Sequence, residues 1–180
     1  IWRAASPSPI GKRRACRAMN SRTYSGAVNA LTPSTISVNH VTAPGAPITL
    51  TNTGVMSGSA AVSVIGVNTN GRLILNNAAN TYSGMMTLGP AAVVRAVGVG
   101  ALANGATQLN LAGGVLELRS NGTGSNQNIS FGNAAQLTSN SVIDVNRDTA
   151  NSNNQLRLGS LDIGANTLTV TGGNGYSLGV

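Results

Sequence analysis

The side chains capable of acid–base chemistry are few in this 180-residue chain. Its carboxylates are Glu117, Asp144, Asp148 and Asp162. Glycoside hydrolysis needs two carboxyl groups that face one sugar linkage. Asp144 and Asp162 are eighteen residues apart and, as one alternative, would stack on adjacent turns of a coil, both on its outer face. The favoured interpretation is that they are solvated charges that keep an exposed sheet soluble.

Two further reactive side chains, His40 and Cys16, are each the only residue of their type. His40 has no serine, cysteine or aspartate at a spacing typical of a catalytic triad, and a single cysteine forms neither an internal disulfide nor a zinc motif. We therefore expect no catalytic residue and no metal ligand, and a protein that is not an enzyme.

Two glycine-rich stretches resemble ligand-binding motifs. The letters GVGALA at 98–103 match the dinucleotide fingerprint, which requires a helix after its glycines, and Asn104-Gly105 interrupts any such helix. The letters GGNGYSLG at 172–179 resemble a calcium-binding nonapeptide, but Ser177 stands where that motif needs its aspartate. The sequence therefore predicts no nucleotide, metal or other cofactor, and no small-molecule substrate.

The net charge of +7 is concentrated near the beginning of the chain. Six of the eleven basic residues are Arg3, Lys12, Arg13, Arg14, Arg17 and Arg22. This segment lacks interleaved aromatics and no nucleic-acid-binding fold follows it, so we expect no nucleic-acid partner. Residues 1–20 are predicted to be a disordered leader or a segment foreign to the mature domain. Because the chain begins with Ile1, we expect a fragment of a longer protein.

Composition and periodicity predict an all-β fold. Aromatic residues make up 3% of the chain and charged residues 8%, so Ala, Val, Leu and Ile must form the core and uncharged polar groups the surface. Apolar side chains lie two residues apart in many short segments, the period of a half-buried strand. These segments begin at Ile48, Val62, Leu73, Leu109, Leu116, Ile129, Ile143, Leu156, Leu161 and Leu168.

A repeated unit predicts how these strands are arranged. The letters TYSG occur at 23–26 and 81–84, each followed by L-x-P and a β-branched run, and aliphatic residues recur at 19 or 20 positions. A fixed period indicates a stacked array, here a parallel β-helix with turns of about 20 residues. Tyr24 and Tyr82 are predicted at equivalent corners, with Gly26 and Gly84 permitting the bend. Carbohydrate stacking on the two rings is the alternative.

The letters ANTYSGMMTLGPAAVV, GALANGATQLNLAGGVLEL and LTVTGGNGYSL resemble the passenger-associated repeat of bacterial autotransporters. The resemblance covers 80–180 well and 21–38 weakly. Met85-Met86 replaces the usual Gly and Thr, and Gly98-Val-Gly100 alters the alanine-rich segment. The resemblance implies a right-handed parallel β-helix, or β-solenoid, over residues 21–180, and a passenger domain exported through the outer membrane of a Gram-negative bacterium.

The same resemblance implies a function and partners. The segment would be a non-enzymatic stalk of a secreted or cell-surface adhesin, associated with virulence, that supports export, folding and adhesion. An outer-membrane translocator barrel, missing from this chain, would be one partner, and a host surface protein or glycan another. The alternative is a polysaccharide-binding or polysaccharide-degrading β-helix. Two glycosylation sequons, at Asn121 and Asn128, carry little weight in a bacterial setting.

Overall fold

The computed structural model describes residues 21–38, 48–67 and 71–180, together with the backbone of strand 15–17. The chain winds as a β-solenoid of about six turns. Each turn passes through two long sheets, named A and B, and then along a third side before it returns to sheet A. The strand pairs of the described residues are parallel, so the predicted all-β, parallel solenoid is confirmed.

Sheets A and B each contain seven strands that stack in chain order. Sheet A consists of β1 (Ala15–Arg17), β4 (Ser34–Ser37), β7 (Val62–Ile65), β9 (Met85–Leu88), β11 (Gln108–Ala112), β14 (Ala134–Ser139) and β17 (Ser160–Asp162). Sheet B consists of β2 (Arg22–Tyr24), β5 (Ile48–Asn52), β8 (Gly71–Leu75), β10 (Val93–Val97), β12 (Val115–Arg119), β15 (Ser141–Asn146) and β18 (Leu168–Gly172).

The third side is less regular. Its strands are β3 (Val28–Ala30), β6 (Met56–Gly58), β13 (Asn128–Ser130), β16 (Gln155–Arg157) and β19 (Ser177–Gly179). In the two middle turns residues 80–83 and the 3₁₀ segment Val99–Gly105 take the place of a strand. The stack continues there because the amide of Thr81 donates to the carbonyl of Met56 at 2.9 Å and that of Ser83 to Gly58 at 3.0 Å.

The interior is filled by aliphatic columns that run along the solenoid. In sheet B one column is Leu50, Leu73, Val94, Leu116 and Ile143, in which each residue is the register partner of the next, and it ends at the exposed Val170 on the last turn. In sheet A the matching column is Val62, Met86, Leu109, Ala135 and Leu161. A single turn cannot bury enough apolar surface to offset its backbone entropy, so each turn depends on its neighbours.

The predicted turn length of about 20 residues is wrong, because successive turns are roughly 26 residues apart. Leu109 pairs with Ala135 rather than with Ile129, which lies on the third side and pairs with Leu156. Likewise Ile143 pairs with Val170 and not with Ile163. A separation of 20 residues falls short of a full turn and compares strands on different sides.

The two TYSG copies are also not equivalent. Tyr24 ends a strand of sheet B and pairs with Asn52, whereas Tyr82 lies on the third side. Tyr24 is 46% exposed and Tyr82 only 1%. The hydroxyl of Tyr82 contacts the carbonyls of Ala60 at 2.8 Å and Met85 at 2.9 Å. Burial raises the pKa of Tyr82 to about 12.

Gly84 is required for close approach rather than for an unusual backbone angle. A Cβ atom there would lie 2.6 Å from both the carbonyl oxygen of Ala60 and the hydroxyl oxygen of Tyr82. Its φ is not in the left-handed region. The Tyr-x-Gly spacing therefore lets the ring fold over the glycine, and the same contact occurs between Tyr24 and Gly26.

Buried asparagines connect neighbouring turns. Asn80 accepts the amide of Met56 at 2.7 Å and donates to the carbonyl of Ala101 at 2.9 Å. Asn154, which is fully buried, accepts the amide of Gln127 at 2.9 Å and donates from Nδ2 to the hydroxyl of Tyr176 at 3.0 Å. Each amide side chain thus satisfies backbone groups that the irregular third side leaves unpaired.

Within the described part of the chain, no helix has the length and apolar character needed to cross a membrane.

Candidate functional site

The outer face of sheet B carries an array of charged side chains, here called the charged face. It consists of Arg72, Arg95, Glu117, Arg119 and Asp144. The strand register places Arg95, Glu117, Asp144 and Thr171 in one outward column on four successive strands. The chain contains only 8% charged residues, so this concentration on one face is distinctive.

Glu117 is the centre of the charged face. Although it points outward, it is only 7% exposed, because arginine side chains cover it. Its Oε1 accepts a hydrogen bond from Arg72 Nη2 at 2.9 Å, and its Oε2 accepts one from Arg95 Nε at 2.6 Å. Arg119 Nη2 lies 3.9 Å from Oε2. These cations and donors compensate the hydration that the covered carboxylate loses.

Asp144 extends the charged face by one turn. It forms an ion pair with Arg119, whose Nη1 also donates to the Asp144 and Leu118 carbonyls, both at 2.9 Å. The second carboxylate oxygen of Asp144 accepts the hydroxyl of Thr171 at 2.6 Å. Arg119 and Asp144 therefore neutralise each other and hold three consecutive strands together.

The alternative that Asp144 and Asp162 stack on adjacent turns is wrong. Asp144 lies on sheet B in register with Glu117, whereas Asp162 lies on sheet A in register with Gln136. The error has the same origin as the error in period, since eighteen residues do not complete a turn. Asp162 instead accepts the amide of Gly164 at 3.1 Å and is exposed.

Sheet A presents a different outer face, here called the amide face. Its outward column is almost uncharged and consists of Thr35, Ser63, Thr87, Asn110, Gln136 and Asp162. A shallow groove of about 200 Å³ runs beside this column. Its lining residues are Met85, Gln108, Leu109, Ala134, Ala135, Gln136, Ser160 and Asp162. Amide and hydroxyl groups around an apolar floor suit neutral hydrogen-bonding ligands.

The remaining reactive residues do not converge in the described part of the chain. Asp148 lies in an exposed turn. His40 and the side chain of Cys16 lie outside the described residues. No group of three or more His, Cys, Asp or Glu side chains arranged to hold a metal ion occurs among the residues that the structure describes.

The glycines of the GVGALA stretch serve packing. A Cβ atom at Gly100 would overlap the carbonyl oxygen of Ala78 on the preceding turn. The segment that follows is 3₁₀ rather than α-helical, and Ala103 and Asn104 adopt left-handed backbone with φ of 56° and 51°. The geometry therefore lacks the α-helix N-terminus on which dinucleotide binding depends.

The side chain of the sequon residue Asn121 links two successive turns through hydrogen bonds. Its Oδ1 accepts three consecutive backbone amides, those of Asp148 at 3.1 Å, Thr149 at 2.8 Å and Ala150 at 2.9 Å. Its Nδ2 donates to Thr149 Oγ1 at 2.9 Å. Asn121 Nδ2, the atom to which a glycan would be attached, is thus engaged in a hydrogen bond between turns.

A comparison of this chain with protein-family models, curated proteins and solved structures finds no match. The class of protein is therefore defined by architecture. It is a three-sided parallel β-solenoid with an aliphatic interior, one charged outer face and one amide-rich outer face.

Proposed function

We propose that this chain is a mechanical stalk: a stiff, non-enzymatic spacer that holds another part of a longer protein away from its anchor. The observation that carries this proposal is the unbroken stacking of sheets A and B, seven strands each, over the whole described solenoid. Parallel strands are about 4.8 Å apart, so six spacings extend the solenoid by about 29 Å. Every turn adds length, and every turn is held by its neighbours.

The chemistry of the outer faces supports the same role. Glu117 and Asp144 are both engaged by arginines, which leaves neither carboxylate free to act as a general acid or base in this arrangement. Ion pairs and amide hydrogen bonds across turns resist shear between them. Glu117 and Asp144 thus act as cross-links between turns.

The biological setting that we propose is the passenger of an autotransporter, secreted or displayed on the surface of a Gram-negative cell. Support comes from the resemblance of residues 80–180 to the passenger-associated repeat, together with low charge and a single cysteine. A chain that crosses a membrane unfolded and then stacks turn by turn outside the cell benefits from both properties. The translocator barrel and any host receptor or glycan would be its partners.

Electron-spin distance measurements test the stalk. Thr23 and Thr171 are exposed and belong to one outward column of sheet B, six strands apart. With Cys16 replaced by serine, nitroxides at Thr23→Cys and Thr171→Cys should give one narrow distribution near 29 Å, broadened only by the label linkers. A broad or multimodal distribution would contradict a stiff spacer.

Surface display tests the proposed setting. The chain is fused to an autotransporter barrel and expressed in a Gram-negative host. A protease added to intact cells should release a resistant fragment of the solenoid's size. Accumulation of the fusion inside the cell, with no fragment released from intact cells, would count against the export proposal. It would leave the stiffness of the solenoid unaffected.

The second candidate function is polysaccharide binding, which the groove on the amide face favours. Gln136 and Asp162 line this groove together with Met85 and present hydrogen-bonding groups on successive strands. Titration of neutral oligosaccharides into the wild-type protein and Gln136→Ala, with the exposed Asn128→Ala as control, tests it. Saturable binding that Gln136→Ala abolishes would favour this role, and the absence of saturable binding would exclude it.

A further inference from the structure

We propose that Arg72 and Arg95 form an oxyanion-binding site on the charged face, distinct from the mechanical role of the solenoid. The two residues lie on adjacent strands β8 and β10, and each contacts one oxygen of Glu117. Their side chains are 25% and 28% exposed, in contrast to 9% for Arg119. The two guanidinium groups are therefore fixed by the protein and open to solvent.

Most of the hydrogen-bonding capacity of these arginines is unused. A guanidinium carries five N–H donors. Among the described residues, Arg72 donates only from Nη2 and Arg95 only from Nε, each to Glu117. Arg72 Nε is buried without a partner. Arg72 Nη1 and both terminal nitrogens of Arg95 form no hydrogen bond with a described residue and are not fully buried. Their N–H groups are therefore accessible to a ligand in solvent.

Glu117 makes this arrangement a preorganised site rather than two flexible surface arginines. Its carboxylate is 7% exposed and lies beneath the guanidinium groups, where it fixes their positions. Arg119 and Asp144 balance each other, so Arg72, Arg95 and Glu117 together carry one net positive charge. An anion that arrives from solvent meets two guanidinium groups from diagonal positions on adjacent strands, since Arg72 pairs with Val93 and Arg95 with Ile74.

The chemistry selects an oxyanion. Carboxylate and sulfate groups accept the paired N–H donors of arginine in a bidentate manner, which a lysine cannot reproduce. The neighbouring outward positions are neutral: Thr49 and Val93 pair with Arg72, and Ile74 pairs with Arg95. The face is a flat sheet, which suits an extended acidic glycan, and a free inorganic oxyanion is the other source of the same chemistry.

Titration of the full chain with two probes distinguishes these sources. The probes are sodium sulfate and a trigalacturonate oligosaccharide, and binding is followed by calorimetry and by the NMR shifts of arginine Nε–Hε groups. We expect saturable binding at low ionic strength that perturbs the Arg72 and Arg95 signals. Sulfate binding alone identifies a free-ion site, and tighter trigalacturonate binding identifies an acidic-glycan site. Absence of saturable binding by both probes would overturn the proposal.

Matched variants test the location. Arg95→Ala and Arg95→Lys should each weaken binding about 10-fold or more, because the lysine keeps the charge but loses the fork. Arg147→Ala removes one exposed positive charge from a turn outside the site and should leave the affinity within about 2-fold. The lysine variant keeps an ion-pair partner for Glu117, so its circular dichroism should match the wild type. Equal weakening by Arg147→Ala and Arg95→Lys would indicate nonspecific attraction and contradict the site.

This inference is independent of the proposed stalk. Loss of oxyanion binding in Arg95→Lys with an unchanged spin-label distance would support both. A narrow distance distribution with no binding would leave the stalk standing and remove the site.

Discussion

Arg72 Nη2 donates to Glu117 Oε1 at 2.9 Å although the two residues are 45 positions apart in the chain. They lie on β8 and β12, and β10 runs between them. The arginine therefore reaches past the intervening strand, where Arg95 reaches the other carboxylate oxygen at 2.6 Å. One covered carboxylate thus ties three successive turns, which makes it the most informative residue to alter.

Replacing Glu117 by Gln should destabilise the protein by about 2 kcal/mol. The substitution keeps the shape but leaves Arg72 and Arg95 without their shared counter-charge, whereas Arg119 keeps its ion pair with Asp144. The estimate is below that for a fully buried pair, because solvent reaches two of the arginines. Chemical denaturation measures the free energy of unfolding of the variant. The control is Asp148→Asn at an exposed position, whose free energy of unfolding should stay within about 0.5 kcal/mol of the wild type. Equal effects of the two variants would show that Glu117 contributes no more than a surface charge.

The buried phenol of Tyr82 should make stability fall at alkaline pH. Burial raises the pKa of Tyr82 from 10.0 to about 12 in the folded protein. The folded state then binds the phenolic proton more tightly than the unfolded chain, so this contribution is complete below pH 10 and is lost as pH rises towards 12. Two pKa units correspond to about 3 kcal/mol.

Tyr82→Phe isolates this effect. The variant should lose about 1–2 kcal/mol at pH 8, because the carbonyls of Ala60 and Met85 lose their donor, and its stability should fall less between pH 10 and 12. Tyr24→Phe is the control, since Tyr24 is exposed. Urea denaturation at pH 8, 10 and 11 provides the comparison. Parallel pH profiles for Tyr82→Phe and the wild type would contradict the assignment.

Asn154→Ala should destabilise the solenoid by about 2–4 kcal/mol. The substitution leaves the amide of Gln127 and the carbonyls of Asn121 and Gly124 without their partner at a partly buried corner. Asn128→Ala, at an exposed strand position, is the matched control. Thermal and urea unfolding of both variants give the difference. If Asn154→Ala lowers the free energy of unfolding by less than about 0.5 kcal/mol, water must replace the hydrogen bonds of the Asn154 side chain.

Gly100→Ala should destabilise the protein by about 2 kcal/mol or more, because the added methyl overlaps the carbonyl of Ala78 on the neighbouring turn. Gly124→Ala is the control, since the nearest atom to its Cβ would be Gln127 Nε2 at 3.6 Å. The melting temperatures of the two variants check the prediction. Equal melting temperatures of the two variants would show that the neighbouring turn accommodates a methyl group at position 100 without strain.

The strands were predictable from the sequence because alternation is a local property. Leu116 and Leu118, for example, lie two apart and both face the interior on β12. The pairing of strands was not predictable in the same way. Almost every strand offers aliphatic residues two apart, so Leu109 matches Ile129 in the sequence as well as it matches its true partner, Ala135.

The charged face escaped prediction for a related reason. Arg95 and Glu117 are 22 positions apart, while Glu117 and its register partner Asp144 are 27 apart, because the corners differ in length. No single period aligns all three residues. A signal was present in the sequence, since Arg95 and Glu117 each sit between two aliphatic residues on a strand. An outward charge flanked by inward aliphatics on successive strands predicts a ladder once the turn length is known.

The most direct test of the account removes one turn. Deletion of residues 109–134 places Ala135 where Leu109 stood and brings Asp144 opposite Arg95, so the later strands of sheets A and B keep matching neighbours. Deletion of residues 109–128, the length of the shorter period, instead inserts a third-side strand into sheet A.

Spin labels at Thr23→Cys and Thr171→Cys, with Cys16 as serine, report the distance along sheet B. We predict a folded 26-residue deletion whose distance is shorter by one strand spacing, about 4.8 Å, and loss of the narrow distribution in the 20-residue deletion. A 20-residue deletion that stays folded, or a 26-residue deletion that unfolds or keeps the full distance, would contradict the stack of interchangeable turns.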